Sequence, residues 1–183
     1  PRLSAGSMAA WPLVVVVPYD DRWPSQFEDE RCRLTAALAP FAVILEHIGS
    51  TAVPGLCAKP TIDIMLGVNR LSELEKQIPR IASLGYQYVP EFENQFPERR
   101  YFRKLERGEQ TRHLHAVEVG GEFWCRHLAF RDCLLNNAQA AAQYAQLKNR
   151  LAVDFANDRE GYTNAKSDFI ADTLAKTRRH DAI

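Results

Sequence analysis

A Gly-Ser turn followed by an acid on the next predicted strand is the feature of this chain best suited to carry chemistry. Residues 47–51 read HIGST and residues 59–64 read KPTIDI. Backbone N–H groups of a turn with little side-chain bulk can approach a phosphate, and a neighbouring carboxylate can hold the accompanying cation. The pattern predicts that Asp63 binds a metal ion and that a phosphate contacts the turn at Gly49, Ser50 and Thr51. The alternative for the turn is a sharp connection, with Val53, Pro54 and Leu56 packing beneath it.

Two histidines on a later predicted strand offer further metal ligands. His113 and His115 are one residue apart, so both side chains lie on one face of a strand. Together with Asp63, and with His47 from the strand before the turn, they form a mixed nitrogen and oxygen donor set. Such donors suit zinc or manganese better than magnesium, and the choice among Mg, Mn and Zn stays open. Asp63 and His115 are the predicted catalytic residues; the alternative is that the imidazoles pack in the core or hydrogen-bond the backbone.

Cationic side chains are needed to balance the charge of a phosphate, and four are predicted to do so: Lys59, Arg100, Arg131 and Lys166. Arg131 would share a helix face with Trp124 and His127, and Lys166 lies about one helical turn after Tyr162. The alternatives are a solvated strand edge for Arg100, a core stripe around Arg131 and a surface pair for Lys166.

The chain resembles the GrpB family, also designated UPF0157, whose fold is similar to that of the nucleotidyltransferase superfamily. The resemblance runs from about residue 14 to residue 174 and includes the segments RYF at 100–102, HLH at 113–115, WCRHLAFRD at 124–132, YAQLK at 144–148 and YTNAKSDFI at 162–170. It implies a nucleotidyltransferase-like mixed β-sheet packed by helices, a divalent metal and a nucleoside triphosphate as a candidate ligand. Relatives of this family occur fused to dephospho-CoA kinase.

One position departs from the nucleotidyltransferase pattern. The resemblance implies two acids separated by one residue on the strand after the Gly-Ser turn. Asp63 matches the second acid, but Thr61 stands at the position of the first. A hydroxyl cannot supply the anionic oxygen that a two-metal phosphoryl-transfer site uses. The sequence therefore leaves open whether the protein is an enzyme.

Three functions are compatible with these residues. The leading hypothesis is a nucleotidyltransferase-like protein that binds a nucleotide or a small phosphorylated ligand with a divalent metal and transfers a nucleotidyl or phosphoryl group. One alternative is a hydrolase with a transition metal held by His47, Asp63, His113 and His115. The other is a non-catalytic module that senses a ligand or assists folding.

Length and composition predict one globular domain over residues 8–183, preceded by an expression remnant at residues 1–7. The 183 residues include 23 basic and 23 acidic side chains, which argues against binding of long nucleic acid through bulk charge. The four cysteines lack C-x-x-C spacing, which favours reduced thiols and a cytoplasmic location, and no membrane partner is expected. The expected partner is a small phosphorylated or nucleotide ligand, and the oligomeric state is left open.

The elements that must position these residues alternate between strands and helices. Apolar patterning predicts strands near residues 14–17, 43–48, 61–68, 86–89, 100–105 and 114–119. Helices are predicted near residues 20–40, 71–84, 123–136, 139–157 and 162–178, with a loop at 90–97. Strands mixed with helices, followed by a helical block, predict an α/β (α+β) fold with a mixed sheet and a helical C-terminal half.

Overall fold

The computed structural model describes residues 14–180, with side chains described through residue 176, and its centre is a five-stranded sheet. The strands are β1 (Ile44–Ile48), β2 (Ile62–Val68), β3 (Tyr86–Tyr88), β4 (Arg99–Glu106) and β5 (Glu109–Glu118). Their spatial order is β1-β2-β5-β4-β3, and among these strands only β2 and β5 pair in parallel. The predicted α/β class with a mixed sheet is confirmed.

Helices cover both faces of the sheet and make up most of the C-terminal half. They are α1 (Trp23–Leu38), α2 (Leu71–Leu74), α3 (Ile78–Ser83), α4 (Glu122–Asn136), α5 (Ala138–Asp154), α6 (Arg159–Asn164) and α7 (Ser167–His180). None of the helices between residues 14 and 180 has the length and apolar character needed to cross a bilayer.

The alternation of side chains along β2 decides what each face of the sheet carries. Ile62 and Ile64 are fully buried in the main core, which they share with side chains of α1, α2 and α3. Asp63 and Met65 lie on the other face, where Met65 packs against Trp124 of α4. Strand β2 therefore anchors the core with one face and presents a carboxylate on the face that α4 covers.

Two predicted elements in the N-terminal half differ from the structure. The helix expected at 71–84 is divided into α2 and α3 by a 3₁₀ turn at Glu75–Gln77, and Pro79, which has no N–H to donate, begins the second piece. The strand expected at 14–17 is reduced to a single bridge between Val17 and Ala58. The remnant predicted at residues 1–7 lies outside the described residues.

The helix expected at 162–178 is also divided, into α6 and α7. Asp158 caps α6 by accepting a hydrogen bond from the Gly161 N–H at 2.8 Å, which starts this helix earlier than predicted. Ala165 and Lys166 then form a turn before α7 begins at Ser167. The turn places Lys166 between two helices.

A buried ion pair holds α1 to the sheet. Glu30 is 3% exposed, and its carboxylate accepts hydrogen bonds from Lys104 Nζ at 2.8 Å and Tyr86 Oη at 2.9 Å. We expect Glu30→Ala to lower the free energy of unfolding by about 3–5 kcal/mol, because the buried ammonium loses its partner. Urea unfolding measures this loss. Glu28→Ala is the control, since Glu28 pairs with Arg31 at the surface, where solvent screens the pair and its contribution to stability is small; equal losses in the two variants would contradict the prediction.

Candidate functional site

Asp63, His113 and His115 meet on one face of the sheet because β2 and β5 are parallel neighbours. Asp63 is in register with His113, and His115 lies two residues further along β5. His113 Nδ1 is 2.9 Å from Asp63 Oδ1, and His115 Nε2 is 3.9 Å from the same oxygen. One possible ligand atom from each residue lies within 4.8 Å of the other two. We call these three side chains the Asp63 cluster.

The turn after β1 lies directly against this carboxylate. Gly49 has φ 72°, in the left-handed region that favours glycine. A Cβ atom at this position would lie 2.4 Å from Asp63 Oδ2. Glycine is therefore required both for the backbone conformation of the turn and for its close approach to Asp63.

The protonation states of the Asp63 cluster suit metal binding. Burial opposes ionisation of Asp63, but the hydrogen bond with His113 and the nearby imidazole of His115 outweigh burial and hold the pKa of Asp63 below its ordinary value. Burial lowers the pKa of His115 to about 4, so this imidazole is neutral at pH 7. A neutral imidazole and an ionised carboxylate are the forms that bind a metal ion. His113 Nε2 also lies 3.1 Å from Gln110 Oε1, a contact of the kind that orients metal-binding histidines.

Cationic side chains border the Asp63 cluster. The ammonium groups of Lys59 and Lys166 lie over the same aromatic ring, that of Tyr162, at 5.4 Å and 4.2 Å from its centre. Arg159 Nη2 lies 3.5 Å from His113 Nε2. Among the side chains of residues 14–176, no carboxylate forms an ion pair with any of these three cations. Their positive charge is therefore not balanced locally, apart from the longer-range field of Asp63.

Burial lowers the pKa values of the amines in this group toward neutral pH. It lowers the pKa of Lys166 to about 7, and Lys59 lowers that pKa further, whereas Asp63 raises it. Burial also lowers the pKa of Lys59 and of Lys148 to about 8. An anion bound among these amines would favour their charged form. We call Lys59, Lys148, Lys166 and Arg159 the basic cluster.

Comparison with known proteins places the chain in a family. A family model described as GrpB protein matches residues 13–176. This chain belongs to the GrpB family. The glutamate-rich protein GrpB of Alkalihalophilus pseudofirmus is 34% identical over 165 residues, which cover 88% of this chain and 94% of that protein. The crystal structure of the conserved protein GrpB from Enterococcus faecalis has a TM-score of 0.82 and 32% sequence identity, and the match covers 92% of this chain and all of that one.

A second kind of relative bears on the expected fusions. A dephospho-CoA kinase of Mycolicibacterium paratuberculosis is 35% identical over 88 residues, which are 46% of this GrpB chain and 21% of the kinase. A partial match of this kind is consistent with GrpB-like sequence fused to such kinases.

Two predicted site residues of this GrpB chain, His47 in β1 and Thr51 in the turn after it, make contacts outside the Asp63 cluster. His47 pairs with Ile64 and so faces the α1 side of the sheet, where its ring stacks on Phe27 at 4.7 Å; it lies apart from the Asp63 cluster. Its Nε2 is 3.0 Å from Thr51 Oγ1. The Thr51 hydroxyl also donates to Thr61 O at 3.3 Å and is buried, so it ties the turn to the interior and is not presented to a phosphate.

Two residues predicted to bind phosphate, Arg100 and Arg131, form structural ion pairs in this GrpB chain. The register of β4 with β5 turns Arg100 to the main-core face, where it pairs with Glu75 at 3.0 Å and Glu93 at 3.5 Å. Arg131 donates to Glu46 at 2.7 Å and thereby joins α4 to β1. Both guanidinium groups are already neutralised, so the prediction of phosphate contacts by Arg100 and Arg131 is not supported by their placement.

The remaining predicted residues stay with the Asp63 cluster or the basic cluster. Ser50 follows Gly49 in the turn and lies near the phenol of Tyr144, whose pKa burial raises. Lys59 and Lys166 share the Tyr162 ring, as described above. Sequence reasoning missed Arg159, which lies 46 residues from His113 along the chain and has no motif around it. The contact of this α6 side chain with His113 of β5 is long-range, so no local pattern in the sequence indicates it.

Proposed function

We propose that this GrpB-family protein binds a small phosphorylated ligand, with a nucleoside triphosphate as the leading candidate, together with one divalent transition-metal ion. The proposed chemistry is transfer of a nucleotidyl or phosphoryl group from that ligand. One observation supports the proposal above all others: the Asp63 cluster, which suits a cation, borders the basic cluster, which suits an anion. A metal-bound phosphate needs both a site for the cation and a site for the anion.

The donor set of the Asp63 cluster fits a transition metal. Two imidazoles and one carboxylate are typical of zinc and non-haem iron centres, whereas magnesium favours oxygen ligands. Such ions hold nitrogen ligands at about 2.0–2.1 Å, so neighbouring ligand atoms lie about 3–3.5 Å apart. The separations of 2.9 Å and 3.9 Å from Asp63 Oδ1 bracket that spacing. A bound ion would polarise a phosphoryl oxygen of the ligand.

The side chains of the basic cluster would neutralise negative charge that grows during transfer. Lys59 and Lys166 lie over the Tyr162 ring and Arg159 contacts His113, so three cations are available to the ligand near the Asp63 cluster. Fixed cations in a partly dehydrated site stabilise a developing anion more than they would in water. The Gly49-Ser50 turn would add backbone N–H donors close to Asp63.

Hydrolysis of a phosphoester is the second candidate, and the position of Thr61 favours it. The Thr61 hydroxyl donates to Gln110 O at 3.1 Å and is buried, so it is engaged with the backbone of β5. A second metal ion would lack the anionic oxygen that Thr61 replaces. One ion with imidazole ligands suits activation of water, and product formation without any acceptor would identify this reaction.

The test is metal analysis of the purified protein followed by calorimetry with zinc, manganese and magnesium, each with and without a nucleoside triphosphate. We expect zinc or manganese to bind more tightly than magnesium and to strengthen nucleotide binding by about tenfold or more, because the ion bridges protein and phosphate. Adenosine is the control ligand, since it lacks phosphate. Failure of well-folded protein to bind any of these ions, or nucleotide binding that ignores the ion, would overturn the proposed metal-phosphate site.

A further inference from the structure

Arg99, next to the Asp63 cluster, forms no ion pair within the part of the chain that the structure describes. Arg99 is in register with Val117, so it lies on the α4 face of the sheet, opposite to Arg100. Its guanidinium lies over three aromatic rings, at 4.6 Å from the centre of Phe96, 5.4 Å from Tyr101 and 5.6 Å from Phe123. Among the side chains of residues 14–176, no carboxylate forms an ion pair with this guanidinium.

The guanidinium of Arg99 donates no hydrogen bond to the described residues. Its Nε is buried without a hydrogen-bond partner, and none of its guanidinium nitrogens forms an ion pair among the described side chains. Burial lowers the pKa of Arg99, although Tyr101 and the adjacent Glu98 act in the opposite direction. The neighbouring Arg100 also has a buried Nε without a hydrogen-bond partner, but its guanidinium forms ion pairs with two glutamates, so the two arginines differ in ion pairing.

The rings around Arg99 connect it to the candidate site. Tyr101 lies 5.3 Å from the ring of His115, and Phe123 lies 5.7 Å from it, so the same two aromatic residues border Arg99 and the Asp63 cluster. Phe92 adds an outer wall, because it meets Tyr101 edge-on at 5.7 Å while 44% of its own surface is exposed. We call Arg99, Phe92, Phe96, Tyr101 and Phe123 the Arg99 box.

We propose that the Arg99 box binds a planar carboxylate carried on an aromatic ring, as part of a second substrate held beside the Asp63 cluster. Arginine binds a carboxylate through two parallel N–H···O bonds, and the surrounding rings favour a flat apolar body over a hydrated one. The terminal amino groups of Arg99 are the donors, since Nε is enclosed. The role of this ligand as a second substrate rests on the proposed function, whereas binding itself does not.

The test is a titration of the metal-free protein with benzoate, followed by NMR, with acetate and guanosine as comparison ligands. We expect benzoate to bind at about millimolar concentration and more tightly than acetate, because the ring adds apolar contact. Arg99→Gln should weaken benzoate binding by about tenfold, the usual effect of losing one charged hydrogen-bond donor. Phe92→Ala, which alters an exposed wall, should weaken benzoate more than acetate. Arg103→Gln is the matched control, because Arg103 is on the same face of β4 and contacts Gln87.

The outcomes separate this proposal from the proposed function. Equal binding of benzoate by wild type and Arg99→Gln, or equal affinity for acetate and benzoate, overturns the Arg99 box as a carboxylate subsite. Tighter binding of guanosine than of benzoate also overturns it and reassigns Arg99 to a base. Absence of saturable benzoate binding has the same effect. None of these results decides whether the protein binds a metal ion or a triphosphate, because that binding is measured separately and without benzoate.

Discussion

Asp63→Asn is expected to weaken zinc or manganese binding by at least about 100-fold and to remove the metal-dependent part of triphosphate binding. Loss of an outer contact to a metal-binding histidine already costs roughly 10- to 100-fold in affinity, and Asp63 would be the only anionic ligand of the cluster. Asparagine has nearly the same shape, so β2 and the close contact with Gly49 should persist. Competition with a chromogenic chelator measures the metal affinity.

Matched variants show whether the loss is local to the Asp63 cluster. Asp29→Asn removes one carboxylate from the exposed side of α1 and should leave metal affinity unchanged. Gly49→Ala should reproduce the effect of Asp63→Asn, because its Cβ would displace the carboxylate. If Asp63→Asn kept the wild-type affinity for every ion, the ion would bind elsewhere and the proposed site would be wrong.

The sequence alone was enough to pair His113 with His115, but not to show that they meet Asp63. Residues separated by two on a strand share a face, which explains why His113 and His115 could be paired at once. Their meeting with Asp63 also needs β2 and β5 to be parallel neighbours, although two other strands lie between them along the chain. That adjacency arises from long-range packing and leaves no local pattern to read.

The placements of His47 and Arg100 on the face opposite to Asp63 have a common cause in strand parity. Arg100 lies on the same face of β4 as Phe102, which is fully buried in the main core. The apolar residue two positions along the strand therefore indicated that Arg100 lies on the core face and not on the face of the candidate site. Arg99, one residue earlier, has the opposite parity and reaches the site. For His47 the deciding fact is its register with Ile64, which depends on the length of the loop between β1 and β2.

Lys166→Met is expected to stabilise the fold while weakening triphosphate binding by about 10- to 100-fold. A charged hydrogen bond contributes about 1.5–3 kcal/mol, which sets the binding loss. The apolar side chain of methionine removes an amine whose burial beside Lys59 is unfavourable, so the free energy of unfolding should rise by about 1–3 kcal/mol. At this chain length, that corresponds to about 2–4 °C in Tm per kcal/mol.

The pH dependence of Lys166 follows from the direction of its pKa shift. The unfolded chain keeps the proton of this lysine up to about pH 10.5, whereas the folded chain loses it near pH 7, because the pKa is lowered from 10.5 to about 7. Between these values the unfolded state binds more protons, so the contribution of Lys166 to stability rises with pH. Affinity for a triphosphate has the opposite trend and should fall as pH rises through 7 to 8, when Lys166 and then Lys59 lose charge.

A matched lysine distinguishes a binding role from a general effect of charge. Lys76→Met removes a fully solvated amine from the turn between α2 and α3, and should change neither triphosphate affinity nor Tm appreciably. Lys166→Arg keeps a charge in place and should retain most of the affinity, with a shallower pH dependence because arginine stays protonated. Triphosphate affinity that survives in Lys166→Met would rule out the basic cluster as the phosphate site. A gain in stability combined with a loss of binding would instead mean that the fold tolerates an unfavourable buried amine at the position where an anionic ligand needs it.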